Sequence, residues 1–261
     1  METRSKIIWS ADTDELSLFK VLSSGVLPKG TIVKLDRLFF EQYSKKNIAT
    51  IQSMGYPVFV DAKIIEVPKK VLQIAETYLV YKPYMLNVMA GVCSTGLLNN
   101  SDINKIDCLK RFAELCDRYG TKSCAVTVLT SKAESLVQSE YAIRTSEEQV
   151  LWYVNQLNQC GLTDVVCSPK EVEAIRAIKG YDALELNTPG VRMRGTDVRD
   201  QARVTTPAEA FLKGATRIVV GSNLTDGDGD IAERVAKNYE KIREHVIEEA
   251  HLDITDGIEC T

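Results

Sequence analysis

Eight short, mostly apolar runs alternate with segments of helical spacing along this sequence, and this alternation is its most constraining feature. The runs begin near residues 6, 31, 56, 84, 123, 163, 183 and 216, and TIVKLD and TRIVVGS are two of them. Near-continuous apolar runs are typical of parallel strands that are buried on both faces. Eight such strands with helices between them predict a closed (β/α)8 TIM barrel rather than an open sheet. Because a barrel of this kind needs about 250 residues, we predict one domain over residues 1–261.

Glycines and one serine–proline pair mark the ends of several predicted helices. Gly161, Gly180 and Gly214 each follow a helical segment, and a residue in the left-handed conformation commonly stops a helix. Ser168 before Pro169 predicts a capped helix start with proline at the first helical position.

The composition excludes several classes of protein. The formal net charge is −4 and the pI is near 5.4, which gives no reason to expect nucleic acid binding. We expect neither a membrane-spanning segment nor a secretory signal, because no apolar run approaches about 18 residues. The seven cysteines are odd in number and form no C-x-x-C pair, which predicts reduced thiols and a cytoplasmic protein.

No metal site is predicted. The two histidines, His245 and His251, fall in a charged C-terminal segment where we expect both to be solvated. The DGDGD segment at 226–230 resembles the start of a calcium loop, but Ile231 and Lys237 stand where such a loop needs a glycine and a closing acid. We expect this segment to be the turn that caps the last helix.

Polar residues interrupt the apolar runs where the predicted strands end. In a (β/α)8 barrel the catalytic residues gather at the C-terminal ends of the strands. Asp61 and Lys63 are two residues apart and therefore share one face of the third strand. We predict a single site at the barrel mouth, formed by Asp12, Lys34, Asp61, Lys63, Asn87, Ser131, Thr188 and Ser222.

Two motifs carry a resemblance to a known enzyme family. The segment DAKIIEVP at 61–68 is similar to the D-x-K-x-x-D-I-P signature that follows the third strand in orotidine 5′-phosphate decarboxylases. The segment at 188–221 begins TPGVR, contains DQAR and TPAEA, and resembles the phosphate loop and last strand of that family. The short motif alone is weak, but the long segment makes the resemblance specific. The resemblance extends over essentially the whole chain.

The resemblance implies roles for individual residues. Lys34, Asp61 and Lys63 match the charged network around the carboxylate that is lost. Glu66 matches an acid that enters the site of the partner subunit, which implies a homodimer with shared active sites. The positions that would bind the ribose, the pyrimidine or the phosphate are Asp12, Ser131, Thr188, Pro189, Arg192, Gln201, Gly221 and Ser222.

The implied reaction is the decarboxylation of orotidine monophosphate to uridine monophosphate in de novo pyrimidine biosynthesis. Loss of carbon dioxide leaves a carbanion in the plane of the pyrimidine ring, and Lys63 would stabilise this charge and then supply the proton. Asp61 would hold Lys63 in place and repel the substrate carboxylate. The resemblance implies no metal and no organic cofactor.

Three positions depart from the family pattern, and one of them, Met89 in place of a histidine on the fourth strand, is less central to the chemistry. The acid of the signature is usually aspartate but is Glu66 here, one methylene longer. The last strand of the family ends in G-R-P, whose arginine grips the phosphate, whereas this chain reads GSNLT with the uncharged Ser222. The candidates for a replacement contact are Gly221, Asn223, Arg192, Arg194 and Arg203.

Two alternatives stay open at this point. A sugar-phosphate decarboxylase or aldolase of the 3-keto-gulonate-phosphate type uses a D-x-K pair with magnesium on the same barrel, but it lacks the long phosphate loop. A divergent, non-catalytic nucleotide-binding homologue would tolerate both Glu66 and Ser222. A decarboxylation rate together with uridine monophosphate binding separates the three possibilities.

Overall fold

Eight parallel strands close into a barrel at the centre of the computed structural model, which describes residues 5–92, 101–142, 144–193 and 205–255. Each strand pairs with the next one along the chain, and the eighth pairs with the first. The strands are β1 Ile7–Ser10, β2 Ile32–Asp36, β3 Val58–Ile64, β4 Met85–Met89, β5 Lys122–Val126, β6 Asp164–Val166, β7 Glu185–Thr188 and β8 Arg217–Val220. The predicted (β/α)8 TIM barrel is confirmed.

Helices follow the strands around the outside of the barrel. In the described part of the chain they are α1 Glu15–Ser24, α2 Arg37–Gln42, α3 Asn47–Ser53, α4 Pro68–Leu79, α5 Ser101–Arg118, α6 Glu134–Glu140, α7 Ser146–Asn158, α8 Val172–Arg176, α9 Pro207–Leu212, α10 Ser222–Thr225 and α11 Ile231–Ala250. Thr145 and Thr206 cap α7 and α9, and each forms a reciprocal capping box with a glutamate three residues later. None of the described helices is long and apolar enough to cross a membrane.

The predicted start of α8 is wrong. The helix begins at Val172 rather than after Ser168, and Pro169 lies in a turn. The cause is Glu171, whose side chain accepts a hydrogen bond of 2.7 Å from the backbone N–H of Ser168 and closes residues 168–171 into that turn. Because α8 ends at Arg176, Gly180 lies in the following turn instead of stopping the helix.

The other predicted helix ends agree better with the structure. Gly161 and Gly214 adopt φ values of +74° and +99° just beyond the ends of α7 and α9. Asp230 caps α11 by accepting a hydrogen bond from the backbone N–H of Ala232, so the acidic segment before it is the predicted capping turn. His251 is exposed at the C-terminal end of α11, as expected.

His245 is not the solvated residue that the charged segment suggested. Its side chain is only 11% exposed and lies 3.6 Å from the Glu249 carboxylate. The physical reason is its position three residues after the buried Ile242 and one before the buried Val246, on the stripe of α11 that faces the barrel.

The two faces of the strands build two layers of core. One face packs against the helices, and Ile7, Trp9 and Ile218 belong to this large outer layer. The alternate residues point into the barrel, where they form a smaller cluster that includes Ile8, Ile32, Phe59, Met85, Cys124 and Val219. Period-two alternation along the strands therefore decides which side chains reach the barrel axis.

Charged residues also lie inside the N-terminal end of the barrel, where Asp164 is completely buried. Arg217 and Lys122 lie 3.2 and 3.7 Å from its carboxylate oxygens. Asn187 donates a hydrogen bond of 3.1 Å to the same carboxylate. We refer to Lys122, Asp164, Asn187 and Arg217 as the lower cluster. The burial of Asp164, Asn187 and Arg217 at the end of the barrel opposite the C-terminal ends of the strands indicates a structural role.

Candidate active site

A cavity of about 500 Å³ opens at the C-terminal ends of the strands. This is the end of a (β/α)8 barrel where active sites form. The predicted residues that line it are Asp12, Lys34, Asp61, Lys63, Ser131, Pro189, Arg192, Gly221 and Ser222. The structure thus brings together side chains from β1, β2, β3 and β8 and from the segments after β5 and β7.

The carboxylate of Asp61 is the centre of a charged network at the floor of this cavity. Its Oδ2 atom accepts hydrogen bonds of 2.8 Å from Lys34 Nζ and 2.7 Å from Lys63 Nζ. Its Oδ1 atom accepts a hydrogen bond of 2.6 Å from Asn87 Nδ2. We refer to Lys34, Asp61, Lys63 and Asn87 as the upper cluster. Two ammonium groups share one carboxylate, so the three charged side chains sum to one positive charge.

Burial and charge oppose each other in the upper cluster. Burial alone would raise the pKa of Asp61, but the attraction of Lys34 and Lys63 outweighs it and holds that pKa well below its usual range. Burial alone would lower the pKa of Lys34, but the nearby carboxylates of Asp61 and Asp12 raise it above its usual value. Asp61 is therefore ionised and Lys34 is protonated at neutral pH.

Lys63 differs from Lys34 in its exposure and in its backbone. The Lys63 side chain is 42% exposed and faces the cavity, whereas that of Lys34 is 12% exposed. Lys63 adopts φ of +43°, a left-handed conformation that costs a non-glycine residue about 1–3 kcal/mol. The pairing of β3 with β4 also shifts register between Val60 and Ile64. This local irregularity at the strand end turns the Lys63 ammonium toward open space while keeping it on Asp61.

A second carboxylate lies at the end of β1. Asp12 Oδ2 accepts a hydrogen bond of 3.0 Å from Ser10 Oγ. Gly221, after β8, lies so close that an added Cβ would be 3.4 Å from both Asp12 Oδ2 and Ser10 Cβ. These are van der Waals distances, so the end of β8 packs directly against Asp12 and Ser10.

Apolar side chains from several strands form part of the cavity lining, which we call the apolar wall. They come from β3, β5, β6, β8 and the segment after β5, and they are Phe59, Val126, Val128, Leu129, Val166 and Val219. Thr130 and Ser131 continue this wall after β5, and the Ser131 hydroxyl stands at its exposed edge. A flat ring could pack on such a wall while its polar groups reach toward Ser131, which is a common design of small-molecule sites.

A second part of the lining, the phosphate wall of the proposal below, comes from the segments after β7 and β8. The backbone N–H of Arg192 donates to the Thr205 carbonyl at 2.9 Å, and the Arg192 Nη1 donates to the Val191 carbonyl at 2.9 Å. Asn223 Nδ2 donates to the same Val191 carbonyl at 3.3 Å, which ties the segment after β8 to this wall. Asp226 also lines this wall, and nothing in the sequence pattern had suggested a carboxylate there.

Three of the predicted residues that the structure describes, Thr188, Glu66 and Asn87, are not among those that line the cavity. Thr188 is fully buried, and its hydroxyl donates a hydrogen bond of 3.1 Å to the Arg217 carbonyl of the neighbouring strand β8. The hydroxyl therefore lies between two strands of the barrel and not in the cavity. Glu66 is exposed outside the cavity, and its carboxylate accepts a hydrogen bond of 3.1 Å from the Val67 backbone N–H. Gln201 lies outside the described residues, as do Arg194 and Arg203.

Sequence reasoning placed Asn87 at the barrel mouth but assigned it no role. It is completely buried and bonds both Asp61 and the backbone of Lys63. A polar residue inside the apolar run of β4 was the available signal, because a buried amide needs partners. Within the described residues, no group of three or more histidine, cysteine, aspartate or glutamate side chains is placed to hold a metal ion.

Comparisons with known proteins agree with this architecture. A sequence profile of the orotidine 5′-phosphate decarboxylase / HUMPS family matches residues 5–238. An orotidine 5′-phosphate decarboxylase from Staphylococcus haemolyticus is 34% identical over 215 residues, which cover 81% of this chain and 86% of that protein. The corresponding enzyme from Staphylococcus epidermidis is 35% identical over 213 residues, with the same coverage of 81% and 86%.

A solved structure supports the same relationship. The crystal structure of an orotidine 5′-phosphate decarboxylase from Lactobacillus acidophilus superposes with a TM-score of 0.72 at 25% sequence identity. The superposition covers 93% of this chain and 99% of that one. The family profile spans most of the chain, and both relatives exceed 30% identity over most of their length. The chain therefore belongs to the orotidine 5′-phosphate decarboxylase / HUMPS family, and the prediction of a carboxy-lyase is confirmed.

Proposed function

We propose that this enzyme decarboxylates orotidine monophosphate to uridine monophosphate, without a cofactor, in de novo pyrimidine biosynthesis. The observation that carries the proposal is the upper cluster, in which Lys63 and Lys34 share the Asp61 carboxylate at 2.7 and 2.8 Å on the floor of the cavity. Membership of the family supports it. Residues 1–261 would act as a single barrel domain.

The chemical step follows from the placement of Lys63. The bond between C6 of the pyrimidine and the carboxylate carbon breaks, carbon dioxide leaves, and the electron pair stays on C6. The Lys63 ammonium, held by Asp61 and exposed to the cavity, stabilises this carbanion and donates a proton to it. The Lys63 amine then recovers a proton from solvent. Asp61 repels the substrate carboxylate, and this repulsion disappears as carbon dioxide leaves.

The remaining walls would orient the nucleotide. Asp12 would bind the ribose and Ser131 the pyrimidine, with the ring against the apolar wall. The phosphate would lie near the segments after β7 and β8, with contacts from Pro189, Arg192, Gly221, Ser222 and, from the resemblance, Gln201. Arg192 is our candidate for the cation that compensates for the uncharged Ser222, because it lines that wall.

The test is the loss of orotidine monophosphate absorbance with the wild type and with Lys63→Ala. We expect turnover by the wild type and none detectable with the variant. A folded wild type that neither turns over orotidine monophosphate nor gains thermal stability from uridine monophosphate would refute the proposal. In that case 3-keto-gulonate-phosphate-type sugar phosphates with magnesium would be assayed next.

A binding-only homologue is the second candidate, and one observation favours it. Ser222 provides no charge beside the proposed phosphate position, and the Asp226 carboxylate lines the same wall. Weak phosphate binding could remove the binding energy that drives the reaction. A rise in melting temperature with uridine monophosphate, but no decarboxylation, would identify this case.

We also propose a homodimer in which Glu66 reaches the partner's site. Glu66 is exposed beside the end of β3, between Ile65 and Val67, which are 64% and 59% exposed, and Leu38 on α2 is 57% exposed. Exposed apolar side chains around a charged residue are typical of an interface. The proposed location is the cytoplasm, which fits the five free, buried cysteines of the described residues.

Mixing two inactive variants tests the shared site. Lys63→Ala and Glu66→Ala, unfolded and refolded together, would form heterodimers with one intact site and recover about a quarter of the wild-type activity. No recovery, although sedimentation shows that heterodimers form, would place Glu66 in its own subunit's site or outside the site. A monomer at assay concentration would refute the dimer.

A further inference from the structure

Asn87 is a completely buried polar residue to which the proposed chemistry assigns no function. Its Nδ2 donates a hydrogen bond of 2.6 Å to Asp61 Oδ1, and its Oδ1 accepts one of 2.7 Å from the backbone N–H of Lys63. The orientation of the amide is determined by these partners. A carboxylate can only accept and a backbone N–H can only donate, so a rotated amide would lose both hydrogen bonds.

The second hydrogen bond falls at the most irregular point of the barrel. Lys63 has φ of +43°, and the β3–β4 pairing shifts register between Val60 and Ile64. The Lys63 N–H therefore bonds a side chain of β4 in place of a strand backbone. Asn87 supplies the acceptor that this conformation needs, because an unpaired buried N–H would favour a return to regular strand geometry.

We propose that Asn87 is a positioning residue that aligns the Lys63 ammonium with the reacting carbon. One amide fixes both ends of the Lys63–Asp61 pair, the carboxylate through Nδ2 and the lysine backbone through Oδ1. Asn87 is not among the residues that line the cavity, so it acts on the substrate only through these two neighbours. The predicted effect on catalysis rests on the proposed decarboxylation. The predicted effect on the conformation of Lys63 is independent of it.

The lower cluster offers a matched control. Asn187 is also completely buried, lies on β7, and donates a hydrogen bond of 3.1 Å to the buried Asp164 carboxylate. Its removal breaks the same kind of amide–carboxylate contact at the opposite end of the barrel. A general loss of packing or of buried hydrogen bonding would affect both asparagine variants. A loss of positioning would affect Asn87 alone.

The kinetic experiment compares Asn87→Ala, Asn87→Ser and Asn187→Ala with the wild type, each at a temperature well below its melting temperature. We expect Asn87→Ala to lower kcat about 100-fold with KM within about threefold, because displacement of a reacting group by about 1 Å has an effect of this size. The kcat of Asn87→Ser should be intermediate, since the serine hydroxyl can replace one of the two hydrogen bonds. This variant also replaces Asn87→Ala in the experiment if the alanine variant does not fold. Asn187→Ala should keep kcat within about twofold of the wild type.

The result that would overturn the proposal is a kcat of the folded Asn87 variants within about twofold of the wild type, or an equal fall in Asn187→Ala. A crystal structure of Asn87→Ala, or of the serine variant, provides a readout that needs no activity. We expect Lys63 to return to negative φ and its Nζ to leave Asp61 Oδ2; an unmoved Lys63 would refute the inference. If the wild type does not decarboxylate orotidine monophosphate, the proposed function fails. The crystal structure of the Asn87 variant then still shows whether Asn87 positions Lys63.

Discussion

The two ends of the barrel each contain an aspartate, two cationic side chains and an asparagine, in two different environments. The upper cluster combines Asp61 with two lysines and Asn87, and the lower cluster combines Asp164 with Arg217, Lys122 and Asn187. In the lower cluster Arg217 is 6% exposed and Asp164 is completely buried. In the upper cluster the 42% exposed Lys63 faces a cavity from a left-handed backbone.

A similar set of residues therefore serves two purposes. The lower cluster buries Asp164 and Arg217 and pairs them, which is how charges inside a protein are tolerated. The upper cluster also pairs its carboxylate, but it leaves one ammonium partly open and carries backbone strain. Strained residues and open charges cluster at functional sites, because the surrounding structure holds them in place. Composition alone does not separate the two clusters.

The largest expected difference concerns the two lysines that are partly exposed. Lys63→Ala should reduce kcat for orotidine monophosphate by at least about 10⁴-fold, because it removes both the charge at the reacting carbon and the proton donor. Lys122→Ala is the control, since Lys122 also lies beside a buried aspartate and is 34% exposed. Steady-state decarboxylation assays on both variants would contradict our assignment if the two lost similar activity.

The next prediction concerns stability. Asp164→Ala should lower the free energy of unfolding by about 3–5 kcal/mol, because it removes the completely buried carboxylate that Arg217, Asn187 and Lys122 all contact. Arg217 then keeps its contact of 3.0 Å with Glu185, which is 31% exposed. Asp61→Ala should cost less, because water from the cavity can hydrate Lys63 and reach Lys34. Urea denaturation of both variants at neutral pH provides the measurement. Equal losses of unfolding free energy would mean that water in the cavity does not hydrate the lysines of the upper cluster.

The pH dependence of stability provides a third test. The pKa of Asp61 is lowered from its ordinary value of 3.8, so its contribution is complete above that pH and is lost as the pH falls toward the folded-state pKa. The pKa of Lys34 is raised from 10.5, so its contribution is complete below that pH and is lost as the pH rises further. The difference in unfolding free energy between the wild type and Asp61→Asn should therefore stay constant near neutrality and change below pH 3.8. A change between about pH 6 and 8 would contradict the assigned charge states.

The smallest effect is expected for the chemical reactivity of Cys124, which lies in the barrel interior between the two clusters. Cys124 points into the barrel interior, and burial, followed by the charge of Asp164, raises the pKa of its thiol well above the usual range. Because the thiolate is the reactive form, Cys124 should resist alkylation in the folded protein and react on unfolding. Peptide mapping after alkylation with and without denaturant measures this. Rapid labelling of the native protein would show that the barrel interior between the clusters is open to solvent.

Several features of the molecule could be predicted from the sequence because they depend on local patterns. Alternating apolar runs and helical segments indicate a barrel, and the position of Asp61 and Lys63 at the end of the third run puts both at its mouth. The acidic turn before α11 also follows from local chemistry, because Asp230 caps the next helix within two residues.

Other features depend on contacts between distant residues. Asn87 meets Asp61 and Lys63 across 26 and 24 positions of the chain, and Asp164 meets Arg217 across 53. Period two shows which face a strand residue occupies, but it does not identify its neighbour on the next strand. For this reason the residue pattern did not predict a role for Asn87 or the existence of the lower cluster.

The fold, the family and the charged motif of this protein follow from periodicity and short motifs, which are properties of neighbouring residues. The hydrogen bond from Thr188 to the Arg217 carbonyl, which keeps Thr188 out of the cavity lining, depends instead on contacts between strands. The left-handed conformation of Lys63, held by Asn87, depends on such contacts as well. The physical reason is that closing the barrel sets the distances between strands, and those distances select the partner of each buried polar group.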